Sequence, residues 1–222
     1  MNKSTNDASS TNNDDNIKQE NNNEDNIETT FNSLEEAKLA SNTCQNCVLV
    51  FTRTNAVFYR GNPKAKLMII GEAPGQQEDE IGVPFVGKPG QLLDKLLDAV
   101  QINKEKDVYI CNVIKCRLTE NRAPNQQEID CCWNYLAAQI KYVSPKIIAL
   151  CGSTAVKSIL KTNDSITKIR GRWYENVYGA KVIPVFHPSF LLRSPSQSVG
   201  SPKWLMCQDL REIKKQLSLL KD

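Results

Sequence analysis

Residues 66–70 read KLMII, an apolar run without a polar break that stops at Gly71. A run of this kind suits a strand covered on both faces, not one half-exposed to water. Two more follow, Asp107–Lys115 (DVYICNVIK) and Lys146–Leu150 (KIIAL), and a fourth, Lys181–Phe186, that Pro184 should interrupt. Between the runs the apolar period changes. In Pro89–Val100, the residues Leu92, Leu93, Leu96, Leu97 and Val100 share one helical face. Asn125 opens a helix to about Tyr142, Ser153 starts a short one, and Ser201-Pro202 opens the last, with Leu210, Ile213 and Leu217 on its inner stripe. Upstream, Ser33-Leu-Glu-Glu36 has capping-box spacing and predicts a short helix to about Ala40. Residues 161–180 read as a loop and an edge hairpin, and no internal repeat is visible.

Strands alternating with helices predict an α/β fold whose largely parallel sheet is covered on both faces. Ligands of such folds bind beyond the carboxyl ends of the strands. Three stretches fall there: GEAPG (71–75), the segment around Asn112, and His187-Pro188. The glycine spacing fits neither the dinucleotide nor the P-loop pattern, which speaks against a phosphate cradle.

Composition changes this picture at one end. The first 42 residues hold 11 Asn and three Lys against nine Asp and Glu, a net of −6. They cannot bury enough apolar area to offset ordering, so a disordered tail is expected over residues 1–32 and one domain over 33–222. With +3 overall, residues 43–222 carry +9, which permits a polyanionic partner. The tail has no apolar h-region and no Arg, and no stretch approaches the ~20 apolar residues of a membrane span. A soluble intracellular protein is expected.

Eight Cys in a reducing compartment point away from disulfides. Cys151 and Cys111 read as core residues. Cys44-x2-Cys47 reads as a ligand pair that needs two more thiolates, with Cys111, Cys116, Cys131 and Cys132 to choose from, for zinc or an iron–sulfur cluster.

Taken in order, GEAPGQQED, PFVGKPG, NVIKCR, NRAP and HPSFLLR resemble the family 4 uracil-DNA glycosylases over roughly residues 40–218. The resemblance implies a three-layer α/β/α sandwich on a four-stranded, mainly parallel sheet. It implies hydrolysis of the N-glycosidic bond of uracil flipped out of DNA, the first step of base excision repair. It also implies a [4Fe-4S] cluster on Cys44, Cys47, Cys116 and Cys132; Cys131 leaves a one-residue ambiguity. Phe85 would be the plate under the flipped base, Asn112 the reader of its edge, and His187 the donor to uracil O2. Gly71, Ala73, Gly75 and Glu78 would line the base pocket, with Glu78 and the Gly71–Gly75 loop excluding thymine. Ala73 stands where other members of the superfamily carry a water-positioning Asp, so Glu72 is the candidate for that role. Leu191, Leu192 and Arg193 would enter or line the vacated base stack. Lys88, Lys115, Arg117, Arg122 and Arg170 are candidate phosphate contacts. Single- or double-stranded DNA, a monomer, and a cytoplasmic, nucleoid-associated bacterial setting are the matching expectations. The alternatives are a glycosylase for hypoxanthine and a non-catalytic iron–sulfur DNA-binding module accessory to a polymerase.

Overall fold

The computed structural model describes residues 27–194 and 196–220. Most of the tail expected over 1–32 lies outside these residues, but its last six are packed. Ile27 is buried, the Phe31 ring stacks on Tyr135 with centroids 5.2 Å apart, and the Tyr142 hydroxyl donates to the Phe31 carbonyl at 2.6 Å. Packing therefore starts at least as early as Ile27, ahead of residue 33, because two apolar side chains meet the helix over Gln126–Val143.

Six strands form one sheet: β1 (Arg60–Gly61), β2 (Leu67–Gly71), β3 (Val108–Asn112), β4 (Ile147–Cys151), β5 (Tyr174–Val177) and β6 (Ala180–Val185), in the order β1-β3-β2-β4-β6-β5. The central four are parallel, and β1 and β5 add an antiparallel strand at each edge. The expected four strands are thus present, and the sheet is two wider. β1 has only two residues, and β5 (YENV) carries no apolar run. Pro184 does not interrupt β6; it stays in register with Leu150 of β4. Its carbonyl accepts from the Gly171 N–H at 2.8 Å, on the side away from β4, so its missing N–H removes no bond of that ladder.

The alternation of each strand divides the core in two. Met68 and Ile70 face one layer, with Leu136 and Ile140 of α4 (Gln126–Val143) and Val156 of α5 (Ser153–Leu160). Leu67 and Ile69 face the other, with Leu93 and Leu97 of α3 (Lys88–Ala99) and Leu210 and Ile213 of α8 (Pro202–Leu219). The result is the three-layer sandwich expected. Asn125 caps α4 with a reciprocal capping box to Glu128, and Ser33 and Ser201 cap α1 (Leu34–Asn42) and α8.

Candidate active site and thiol centre

Gly71 and Asn112 end β2 and β3 opposite each other, and the ladder runs on through Val113 N–H to Gly71 O at 2.9 Å. A methyl on Gly71 would collide with both Asn112 Oδ1 and the Phe85 ring, so only glycine lets these two side chains meet here. Asn112 is 2% exposed, and its Oδ1 is buried without a hydrogen-bond partner. An acceptor left so in a folded core costs about 1–3 kcal/mol. It is the clearest sign of a polar ligand.

Phe85, exposed-looking in sequence, is 6% exposed, and its backbone is left-handed at φ 56°. Two things hold it there. Its carbonyl lies where a side chain at Gly90 would be, which seats the loop on the first turn of α3. Glu78, in α2 (Gln76–Ile81), accepts from the Val86 and Gly87 N–H groups on a single oxygen, Oε1, at 3.0 and 2.8 Å. Glu78 borders the cleft, and its carboxylate also fixes the loop that carries Phe85. Gly75 is the N-cap of α2, and a methyl there would press on Glu78.

His187 leaves β6 and caps α7 (Pro188–Leu192): its Nδ1 accepts from the Ser189 N–H at 3.2 Å and lies 2.7 Å from the Ser189 hydroxyl. An Nδ1 that accepts leaves the proton on Nε2. Burial, reinforced by Arg193 and opposed by Glu78, lowers the imidazole to about 4, so it is neutral at physiological pH. The ring centre lies 5.9 Å from that of Phe85. A positive φ at Gly152 gives the ring room, since a methyl there would reach the His187 Cβ. Glu72, Ala73, Phe85, Asn112 and His187 line one cleft of about 660 Å³. Glu72 accepts from the Thr154 hydroxyl at the start of α5 and also borders a second hollow of about 310 Å³ behind His187.

The structure therefore brings together Gly71, Glu72, Ala73, Gly75, Glu78, Phe85, Asn112 and His187. It separates others. Leu191 is fully buried in the α3/α8 layer and cannot enter DNA, because the single turn of α7 points it inward; Leu192 (44% exposed) and Arg193 remain outside. Lys115 is buried, and Arg170 forms an ion pair with Asp209, so neither is a free phosphate contact. Arg122 pairs with Glu128 at 2.5 Å. Ser189 and Thr154, which orient His187 and Glu72, were missed; the HPS triplet of an N-cap was the available signal for the first.

A second centre lies away from the cleft. Cys44 follows α1, Cys47 precedes a short 3-10 turn (Val48–Phe51), Cys116 follows β3 and Cys132 sits in α4. All four line one small hollow of about 10 Å³, together with Cys131, Arg53 and Lys115. Among the described residues, no three Cys, His, Asp or Glu side chains gather as on a single ion; the thiols surround a space. Burial raises Cys47 and Cys116 and pushes Cys132 up to about 12. Arg53 donates to Cys116 Sγ at 3.1 Å and to the carbonyls of Asn42 and Cys44 at 3.0 and 2.9 Å. Cys131 is half-buried and donates its thiol to the Asn46 carbonyl at 3.2 Å, whereas Cys132 is buried. Four thiols with a cation bonded to one sulfur suit an anionic cluster.

A three-layer α/β protein with its polar site across the ends of parallel strands, and a separate thiol centre, is the class defined so far. The model of the uracil DNA glycosylase superfamily matches residues 58–214, and the chain belongs to that superfamily. It is 42% identical over 172 residues to the type-4 uracil-DNA glycosylase of Thermotoga maritima, covering 77% of this chain and 88% of that protein. It is 40% identical to that of Saccharolobus solfataricus over 182 residues, 79% of this chain and 82% of the relative. A DNA polymerase of Bacillus phage SP01 is 35% identical over 136 residues, 61% of this chain and 14% of the polymerase.

Proposed function

We propose that the chain is a monofunctional uracil-DNA glycosylase that initiates base excision repair, acting on uracil swung out of DNA into the cleft of Phe85, Asn112 and His187. The unpartnered Asn112 Oδ1 carries this reading. Uracil supplies a ring N3–H for that oxygen and an O4 for the Asn amide N–H. Cytosine presents a lone pair at the same ring nitrogen, so two acceptors would face each other in a dry pocket. The Phe85 ring supports the base by stacking, worth ~1–3 kcal/mol.

As the glycosidic bond breaks, negative charge collects on the departing uracil. The Nε2–H of a neutral His187, its orientation fixed by Ser189 on Nδ1, donates to O2 and stabilises that charge. A neutral donor favours leaving-group departure without full proton transfer. The sugar becomes oxocarbenium-like, and Glu72, held by Thr154, supplies the nearby carboxylate that orients water. Leu192 and Arg193 stand at the exposed rim where the vacated stack would lie. A [4Fe-4S] cluster on Cys44, Cys47, Cys116 and Cys132 would supply iron–thiolate bonds that join three chain segments. The +9 charge of residues 43–222 favours a DNA partner, and no helix among the described residues is long and apolar enough to cross a membrane.

The test is release of uracil from a labelled single-stranded oligonucleotide, with thymine, cytosine and hypoxanthine controls, beside Asn112→Ala. Release of uracil alone, lost in the variant, is expected. No release of any base from protein with its cluster intact would leave a DNA-binding module as the better description.

A further inference from the structure

Lys115 is 2% exposed, and a charged side chain is seldom placed so deep without an anion. Its ammonium donates to the main-chain carbonyl of Asn112 and, at 2.6 Å, to Oε1 of Gln139. The Phe58 ring lies beneath it, 5.9 Å from Nζ to the ring centre. Gln139 is itself fully buried, and its Nε2 donates to the Phe58 carbonyl at 2.7 Å. Both acceptors of the ammonium are neutral. It lines the thiol hollow beside Cys116 and Cys132, burial lowers its pKa against the opposing pull of three thiols, Cys111, Cys132 and Cys116, and no carboxylate pairs with it among the described residues.

Removing an uncompensated ammonium from water costs several kcal/mol, far more than two neutral hydrogen bonds return. The cost falls if the lysine gives up its proton, the direction in which burial moves it, or if the neighbouring sulfurs carry negative charge, as they do when bound to iron. Two of the three thiols, Cys116 and Cys132, belong to the ligand set proposed above, on which this inference rests. We infer that Lys115 is the internal counter-ion of the thiolate-bound cluster and, by holding the carbonyl of Asn112, a positioning residue for the side chain that reads the base. One ammonium thus touches the backbone of the specificity residue and answers the charge of the cluster. Lys115 would thereby link the charge on the cluster's thiolates to the position of Asn112, with no electron transferred.

The test uses the full chain purified without air, as wild type, as Lys115→Met and as Gln139→Glu. Iron content, visible absorbance and the cluster's reduction potential are read together with kcat and KM for uracil and cytosine release. Methionine keeps the length of the side chain and removes its charge; glutamate at 139 keeps the shape and adds an anion beside the ammonium. Both variants are expected to move the potential negative, since each makes an added electron costlier. Lys115→Met is also expected to lower kcat/KM for uracil at least tenfold and to weaken the rejection of cytosine.

An unchanged potential in both variants would overturn the counter-ion role. A shifted potential with unaltered uracil kinetics would overturn the positioning role. Should Lys115→Met fail to fold, the near-isosteric Gln139→Glu carries the potential measurement alone. Wild-type protein without iron would overturn the inference whatever the uracil assay gives. Wild-type protein with no uracil release, but with the potential shifts intact, would support the counter-ion and remove the glycosylase reading.

Discussion

The cleft at the strand ends and the thiol hollow are two sets of buried polar chemistry among the described residues, and they are completed in opposite ways. In the cleft, Asn112 Oδ1 is buried with no partner, while the residues around it are pinned from behind: Phe85 by Glu78, His187 by Ser189. At the hollow, Arg53 spends its donors on Cys116 and two carbonyls, and Lys115 spends its own on Asn112 and Gln139. A site for a visitor keeps its contact atoms unpaired and rigid, so that binding satisfies them and little is reorganised. A site for a resident group surrounds it with donors already in place. The same chain shows both, separated by Asn112 and Lys115, three residues apart.

The comparison breaks most visibly at the hollow. Cys132→Ser removes an inward thiol and is expected to abolish iron retention, whereas Cys131→Ser, whose thiol bonds to the Asn46 carbonyl, keeps the iron; an iron assay on anaerobic protein checks both. In the cleft the largest effect belongs to Asn112→Ala, which removes the base-reading pair. Discrimination of uracil from cytosine is expected to weaken by up to about 10⁴-fold, measured as a ratio of kcat/KM values. His187→Ala loses one preplaced donor and is expected to lower kcat by about 10²–10³-fold.

The same histidine sets a pH dependence. Its folded value of about 4 lies below the 6.5 of the free side chain, so the unfolded chain takes up the proton first. Stability from this group is therefore complete above pH 6.5 and falls as the pH drops towards 4. Uracil release should stay level from pH 7 to about 5 and decline as pH 4 is approached, and a pH–rate profile beside His187→Ala reads it directly. The smallest effect is at the rim. Leu192→Ala is expected to weaken binding of uracil-containing duplex by about tenfold, on the order of 1.4 kcal/mol, with base release from single strands little altered.

The sequence disclosed most where local chemistry decides structure. Ser33, Asn125 and Ser201 announced three helices because caps act within one turn, and KLMII announced β2 because a doubly covered strand tolerates no polar residue. It disclosed least where partners are distant. β1 is two residues that pair with β3 about 50 positions away, and YENV becomes a strand only because β6 lies beside it. Within the site, Asn112, Phe85 and His187 were legible from motif order. The burial of Leu191 and Lys115 was not, since nothing in HPSFLLR or NVIKCR tells which way a side chain turns. Glu78 shows the same limit: its motif marks it as pocket lining, and only three-dimensional packing reveals that it also supports the neighbouring loop.

Phe85 sits at φ 56°, a conformation that glycine or asparagine adopts at less cost and that other L-residues pay roughly 1–2 kcal/mol to hold. A search for heat resistance alone would still keep the ring at this codon, because it is 6% exposed and clusters with Leu67, Ile69 and Leu93, and deleting such a side chain costs about 3–5 kcal/mol. The core thus guards a strained backbone, and breeding for robustness and breeding for repair select the same residue at this single position.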